Sequence, residues 1–571
     1  MSELELYKLW CENANEDPDL QNELKSITDD MDAIRDRFYR NLEFGTGGLR
    51  GVIGAGTNRM NIYTVRHATQ GLANYVNEEY SNPSVAIAYD SRIKSDIFAK
   101  NAASVLAANG IKVYIYNELM PTPMLSYAVR ALKCQAGIVV TASHNPAKYN
   151  GYKVYGDDGC QITLKGAAAV LEKINELDVF NDIKISSFDD GLANGSISYI
   201  GEDIINSYFD SVLTQGINID LCAESGLKVV YTPLNGTGNK PVRTILSKIG
   251  IKDVTVVEEQ EMPDGNFTTC PYPNPEIREA LELGLKKCEE VKPDLLLATD
   301  PDCDRVGIAV PSDNGYVLFS GNEVGVMLLE YICSERTKKA TMPKNPIAVK
   351  TIVTTDIVNE IGKAYNVEII DVLTGFKFIG EQIGLLEKKG EEERYIFGFE
   401  ESYGYLSGGY VRDKDAVNAS MLICEMAAYY RTQGITLLQA RENLYKKYGV
   451  YYHSLHSFTF EGESGMIKMN NIMNTLRNDH LAEIAGLKVV RIDDYKLSIS
   501  KDVLTGASSN ITLPKSDVLA FFLEGGAKVI VRPSGTEPKI KTYYTAKAPT
   551  YEEATTLEAK LSDGFSKLFL D

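Results

Sequence analysis

The feature that most limits what this chain can become is a set of three apolar runs that recurs three times. Each repeat opens on a β-branched run: VAIAYD at 85–90, KVVYT at 228–232 and IAVKT at 347–351. A second run follows in each: IKVYIY (111–116), VTVVE (254–258) and VEIIDV (367–372). A third closes it: GIVVT (137–141), LLLAT (295–299) and RYIFGF (394–399). Short apolar runs of this kind suit strands buried on both faces, and the helical stretches between them supply the crossovers of a parallel sheet. The repeats share order and pattern, not residue identity. At 571 residues the chain is also too long for one core, and length alone suggests roughly 4 domains.

The expected fold class is therefore α/β: three similar α/β domains with mixed or parallel sheets, joined by a C-terminal α+β domain. Residues 1–43 are predicted to be helical, with Trp10, Leu20, Leu24, Ile27, Ile34 and Phe38 recurring at helical spacing. The three α/β domains are expected at 44–205, 206–321 and 322–445. From 446 to 571 the character changes to VIVRPSGTEPKIKTYYTA (529–546), read as strand, polar turn and strand. A helix is expected over 551–569, with Leu557, Leu561, Phe565 and Leu568 on one face.

Composition narrows the function classes. The formal charge is −19, which makes nucleic acid and anionic membranes poor partners for the surface as a whole. An anionic ligand then needs a local basic island. The nine cysteines show no CxxC and no zinc-ligand spacing, which suits a reducing compartment. The acidic, charge-broken start is no signal peptide, and no apolar run is long enough to cross a bilayer. A cytoplasmic protein is expected.

Ligands of parallel α/β sheets gather beyond the carboxyl ends of strands. The third run of each repeat leads into a polar loop: TASHNP (141–146), DPDCDR (300–305) and FEESYGY (399–405). In TASHNP, Pro146 restricts Asn145 and shapes the loop around Ser143. Alone, the fragment reads first as an ordinary strand-to-helix turn. His144 neighbours Ser143 in sequence, so it is not expected to face the hydroxyl as a base. In DPDCDR, Asp300, Asp302 and Asp304 alternate; in an extended segment all three carboxylates point one way. Three uncompensated anions repel, and a hard divalent cation such as Mg²⁺, which prefers oxygen ligands, resolves this. An EF-hand does not fit, since Arg305 and Pro311 occupy its Gly and Glu positions. If FEESYGY is extended, Glu400 and Ser402 share one side and suit vicinal sugar hydroxyls. Three further turns, FGTGGLRG with Arg50, TGFK (Thr374, Gly375, Lys377) and RPSGTEPK (Arg532, Ser534, Gly535, Thr536), offer backbone N–H groups and cations suited to phosphate.

Taken in order, these segments closely resemble the α-D-phosphohexomutase superfamily, in particular its bacterial members acting on glucose phosphates. TASHNP resembles the phosphoserine loop, DPDCDR the metal loop, FEESYG the sugar-specificity loop and RPSGTEPK the phosphate-binding loop. The likeness runs from about residue 44 to residue 546. Pro301 departs from the family, which often carries Gly there. The resemblance implies four domains around a central cleft and a phosphoryl group stored on Ser143, with Ser143, Asp300, Asp302 and Asp304 holding Mg²⁺. It implies Lys153 as general base, with Arg50 and His144 in the catalytic set. Arg305, Thr374, Gly375, Lys377, Glu400, Ser402, Arg532, Ser534, Gly535 and Thr536 are then expected to contact a sugar phosphate.

The implied reaction interconverts α-D-glucose 1-phosphate and glucose 6-phosphate through a 1,6-bisphosphate, which also serves as activator. Ser402 tilts the reading from pentose to hexose, while mannose stays open because Glu400 and Ser402 do not read C2. A phosphatase using Asp300 as nucleophile and a non-catalytic sugar-phosphate sensor are rival readings. Oligomeric state is not legible in the sequence.

Overall fold

A computed structural model describes residues 1–569 apart from 46, 461, 480 and 535–538, with the side chains of 462–464 also left aside. The chain forms two compact units. The first comprises Met1–Gly321, Ile379–Gly398 and Ser402–Ile435; the second comprises Asn322–Phe378, Phe399–Glu401 and Thr436–Asp571.

In the first unit, three helices open the chain: Glu3–Asn13, Pro18–Ser26 and Met31–Phe38. Their starts are set by Ser2, Asp17 and Asp30, whose side chains accept backbone N–H groups of the first turn. All six apolar positions expected on one face are buried. Trp10 meets Phe38, Tyr63 and Phe180 edge to face, with ring centroids 5.9, 5.7 and 5.4 Å away, so the segment shares the core of the sheet behind it.

That sheet has six strands. In spatial order they are Gly48–Val52, Tyr149–Gly156, Ala136–Val140, Ser84–Tyr89, Lys112–Ile115 and Ile197–Tyr199. The strand Ser84–Tyr89 lies parallel to both Lys112–Ile115 and Ala136–Val140, with helices Ser95–Ala108 and Thr122–Ala131 as crossovers. A second sheet repeats this plan in the order Gly315–Phe319, Val306–Ser312, Leu295–Thr299, Lys228–Thr232 and Asp253–Val256. Here Lys228–Thr232 is parallel to both of its neighbours. The runs AGIVV and LLLAT are buried at every residue, as strands covered on both faces must be.

Beyond the expected parallel strands, both sheets carry antiparallel ones. In each, the third run leaves into its polar loop and the chain returns alongside it. Val139 pairs with Lys153 across the first loop and Thr299 with Val306 across the second. Each loop is therefore held at both ends by sheet hydrogen bonds, which fixes where its side chains can go.

In the second unit, Ile347–Thr351 and Glu368–Val372 are parallel and linked by helix Ile357–Tyr365. The C-terminal part is an antiparallel sheet in which Lys528–Pro533 lies between Leu519–Leu523 and Lys539–Ala548. Phe565 and Leu561 of helix Tyr551–Ser566 are fully buried in its core. The expected helix to 569 instead tightens into a 3₁₀ turn at Lys567–Phe569, which leaves Leu568 exposed and buries Phe569.

Two buried lysines belong to this second unit. Lys528 Nζ lies 2.8 Å from Asp356 and 3.2 Å from the Ile352 carbonyl. Lys350 Nζ lies 3.1 Å from Asp356 and 2.9 Å from Asp371. Beside them Ile352, Val353 and Leu373 pack on Val518, Ile530 and Tyr543 of the antiparallel sheet.

Candidate active site

Ser143 stands three residues beyond the buried strand Ala136–Val140. Its N–H donates to Thr141 Oγ1 at 2.8 Å, and its φ is +51°, a region that non-glycine residues seldom occupy. This turn aims the hydroxyl across to the second sheet's loop, where Ser143 Oγ donates to Asp300 Oδ2 at 2.8 Å. It also corrects the expectation for His144. His144 Nδ1 sits 3.2 Å from Ser143 Oγ, because the left-handed backbone breaks the alternation that would separate adjacent side chains. Burial, and then the neighbouring Arg305 charge, push the His144 imidazolium down to about 2, so the ring is neutral at physiological pH.

The three aspartates do converge, although not through an extended segment. Residues 301–303 form a tight turn with Cys303 at φ +51°, and the Cys303 N–H donates to the Asp300 carbonyl at 2.9 Å. One ligand atom from each of Asp300, Asp302 and Asp304 lies within 4.8 Å of the others, and all three residues are buried. Asp300 Oδ1 is occupied by the N–H groups of Asp304 (3.0 Å) and Arg305 (2.9 Å), which leaves Oδ2 for Ser143. Asp302 Oδ1 and Asp304 Oδ1 are buried with no hydrogen-bond partner among the described residues. Buried carboxylate oxygens without partners are costly, and a cation with oxygen ligands removes that cost. The trio can hold a metal ion.

Charge around the trio is partly balanced by lysines. Lys153 Nζ lies 3.1 Å from Asp302 Oδ2 and 4.0 Å from Asp304 Oδ2. Lys414 Nζ lies 2.9 Å from Asp304 Oδ2. Burial and the neighbouring carboxylates raise the Asp300 and Asp304 carboxyls, whereas at Asp302 burial is outweighed by Lys153 and the group stays ionised. Thr122 closes the ring, its N–H on the Asp302 carbonyl at 2.9 Å and its hydroxyl 3.3 Å from Asp302 Oδ2.

Arg50 lies on the edge strand opposite Gly151, within electrostatic reach of Asp302 and Asp304. Arg305 is drawn toward Glu276, with which its guanidinium pairs.

The remaining expected contacts divide by unit. Ser402 belongs to the first, in the turn 401–403 that follows Glu400; this turn replaces the extended segment expected there. In the second, Glu400 is buried at a strand end, and the next residue, Glu401, accepts from Thr351 and Thr354 hydroxyls at 3.3 Å each. Thr374 and Gly375, the latter at φ +115°, precede helix Phe376–Glu387, and Lys377 stands in its first turn. Arg532 is in register with Lys541, and Ser534 N–H donates to the Lys539 carbonyl at 2.7 Å. Gly535 and Thr536 lie outside the described residues.

Thr122, Lys414, Glu276 and Arg92, all at the Ser143 and aspartate loops, escaped the sequence reading. Lys414 sits in VRDKDA, a charge-rich stretch with no strand before it, and carries no local signal. Glu276 is equally silent. Arg92 follows the first run VAIAYD, so the strand-end rule applied to first as well as third runs would have flagged it.

A domain of this plan that brings a serine hydroxyl to an aspartate trio defines a phosphoryl-transfer class, and comparison with known proteins identifies it. Family models described as phosphoglucomutase/phosphomannomutase match in order: alpha/beta/alpha domain I at 41–179, domain II at 206–314, domain III at 320–448 and the C-terminal domain at 472–563. The chain belongs to the phosphoglucomutase/phosphomannomutase family of the α-D-phosphohexomutase superfamily, and is a phosphotransferase enzyme. It is 36% identical over 554 residues to a phosphoglucomutase of Staphylococcus saprophyticus, covering 96% of this chain and 97% of that protein. It is 37% identical over 552 residues to one from Staphylococcus aureus, covering 96% of each. Among solved structures it shares its fold with parafusin, a phosphoglucomutase from Paramecium, at TM-score 0.70 and 17% identity over 93% of this chain and 95% of that one. A Burkholderia thailandensis member of the family matches at TM-score 0.66 and 18% identity, over 92% and 96%. No helix among the described residues is long and apolar enough to cross a membrane.

Proposed function

We propose that this enzyme interconverts α-D-glucose 1-phosphate and glucose 6-phosphate, storing the transferred group as phosphoserine at Ser143. One observation carries the reading: Ser143 Oγ lies 2.8 Å from Asp300 Oδ2, inside a trio in which two buried oxygens accept no hydrogen bond among the described residues. Phosphoryl transfer asks for in-line positioning and charge neutralisation more than for covalent assistance. Mg²⁺ held by Asp300, Asp302, Asp304 and Ser143 would supply that neutralisation.

The chain's own groups do the rest. Arg532, Ser534, Gly535 and Thr536 bind the phosphate the sugar already carries, aided by Thr374, Gly375 and Lys377. Glu400 and Ser402 hold ring hydroxyls and so present the free hydroxyl to phosphoserine 143. Lys153 takes that hydroxyl's proton in its neutral form, which requires its ion pairs with Asp302 and Asp304 to give way, as a cation bound by those carboxylates would make them do. Arg50 and Arg305 steady the charge on the moving group, and neutral His144 holds the Ser143 oxygen in place. The product of this half-reaction is glucose 1,6-bisphosphate, which doubles as activator. It turns end for end and returns its other phosphate to Ser143.

The test is a coupled assay with Mg²⁺ and a trace of the bisphosphate, run on wild type and Ser143→Ala with glucose 1-phosphate and mannose 1-phosphate. Wild type is expected to prefer glucose 1-phosphate, and the variant to show no turnover. A clear preference for mannose 1-phosphate overturns the substrate. Free phosphate released in step with substrate loss overturns the reaction.

A further inference from the structure

Behind the Ser143 loop lies a side chain to which no role has been given. Arg92 follows the strand Ser84–Tyr89, and its side chain is completely buried. Its guanidinium donates to four carbonyl oxygens of a single loop. Nη1 reaches those of Pro146 and Tyr149 at 3.0 Å each, and Nη2 those of Ser143 and Asn145. Nε faces Asp90 Oδ2 at 3.4 Å, and the Phe267 ring lies 5.0 Å from the guanidinium carbon. Asp90 is itself fixed, its Oδ1 accepting from the Arg92 N–H at 2.9 Å and the Ser95 hydroxyl at 2.8 Å. Asn150 ties the two loops once more, donating to the Ile93 carbonyl and to Ser95 Oγ at 3.0 Å each.

We infer that Arg92 is a positioning residue for phosphoryl transfer: its planar fork gathers the carbonyls of residues 143–149 and holds Ser143 in the left-handed turn that aims its oxygen at Asp300. This rests on the reading of Ser143 as the phosphoryl carrier. A serine at φ +51° is strained unless its surroundings over-determine it, and the loop's own N–H groups make few bonds within it: Ser143 to Thr141 Oγ1, Asn145 to the Ala142 carbonyl and Tyr149 to the Pro146 carbonyl. Only an arginine offers five donors in a fixed plane; a lysine has three on one rotating atom and cannot serve four divergent carbonyls. Because all four acceptors are backbone, the loop's sequence matters less to this clamp than its path.

The test compares wild type, Ser143→Ala, Arg92→Lys and Arg92→Ala, each with Mg²⁺ and glucose 1,6-bisphosphate. The loading of Ser143 is followed by intact mass, and kcat and KM for glucose 1-phosphate are measured per folded molecule. In Arg92→Lys, kcat and loading rate are expected to fall about 100-fold with KM changed less than about threefold, the signature of a misplaced reacting group. In Arg92→Ala, dilute guanidinium chloride is expected to restore part of the rate where ammonium chloride does not. A merely structural arginine would lower the melting temperature but leave the rate per folded molecule alone. Loading by Arg92→Lys within about threefold of wild type overturns the proposal. If neither Arg92 variant folds, Ser95→Ala decides, since it loosens Asp90: a rate reduced at unchanged KM supports the clamp, and an unchanged rate overturns it. Activity retained by Ser143→Ala would instead sink the phosphoserine reading itself.

Discussion

Lys414 and a divalent cation compete for the same carboxylate, that of Asp304. Lys414 Nζ holds Asp304 Oδ2 at 2.9 Å, while Asp304 Oδ1 has no hydrogen-bond partner among the described residues and only Arg305 Nε at 3.9 Å. Replacing Lys414 by methionine removes a positive charge from the ring of ligands and leaves both Asp304 oxygens to the cation. Calorimetry should therefore show tighter Mg²⁺ binding in Lys414→Met than in wild type. The metal-free variant should be less stable by about 3 kcal/mol, because a buried carboxylate has lost its counter-charge. In Asp302→Asn, Mg²⁺ should no longer raise the melting temperature, whereas in wild type a hundredfold excess over Kd should add about 2.7 kcal/mol. The three aspartates were legible in sequence because they follow a buried strand, where three carboxylates in alternation call for a cation. Ser143, whose fragment alone reads as an ordinary turn, was singled out by the family resemblance. Lys414 was not, because its place depends on a chain path that no local spacing encodes. The contact between His144 and Ser143 was misjudged for a related reason: a positive φ at a serine leaves no trace in residue type.

At the level of elements, the nine apolar runs are strands as expected, since short apolar runs of this length suit the strands of an α/β sheet. Mixed sheets were expected, but the segments that make the antiparallel returns were not singled out. GYKVYG and VGIAVPS carry glycine, lysine or proline and so give no clear strand signal, yet they pair along their length because the neighbouring strands dictate their register. The lysine–aspartate cluster of the second unit was equally hidden, as Lys350 sits inside an apolar run. Burial favours protonation of Asp356, but Lys528 and Lys350 outweigh it and hold the carboxyl below the ordinary carboxylate range. A depressed carboxyl stabilises the fold above its unfolded pKa of about 3.9, and that contribution is lost as pH falls toward the folded value. Acid titration should therefore show a drop in stability below about pH 4 that Asp356→Asn lacks. At pH 7 that variant should be about 3–5 kcal/mol less stable in denaturant, having left two buried ammonium groups underpaired.

On the scale of the whole molecule, the two units are discontinuous. The chain passes from one to the other at 321, 378, 398, 401 and 435. The C-terminal sheet illustrates the result. Val518, Ala520, Ile530 and Tyr543 bury one of its faces against Ile352, Val353 and Leu373, which lie far upstream. A fragment of residues 436–571 should therefore bind a hydrophobic dye strongly and unfold without a sharp transition, and adding a peptide of residues 322–378 should reduce the dye signal. The same interleaving bears on how such a gene can change. A splice placed between residues 321 and 436 would join halves of each compact body taken from different parents, mismatching side chains that must fit one another. Exchange between relatives is then tolerated near the ends of the coding sequence and penalised through its middle, so this enzyme is inherited as one indivisible piece despite its repeated design.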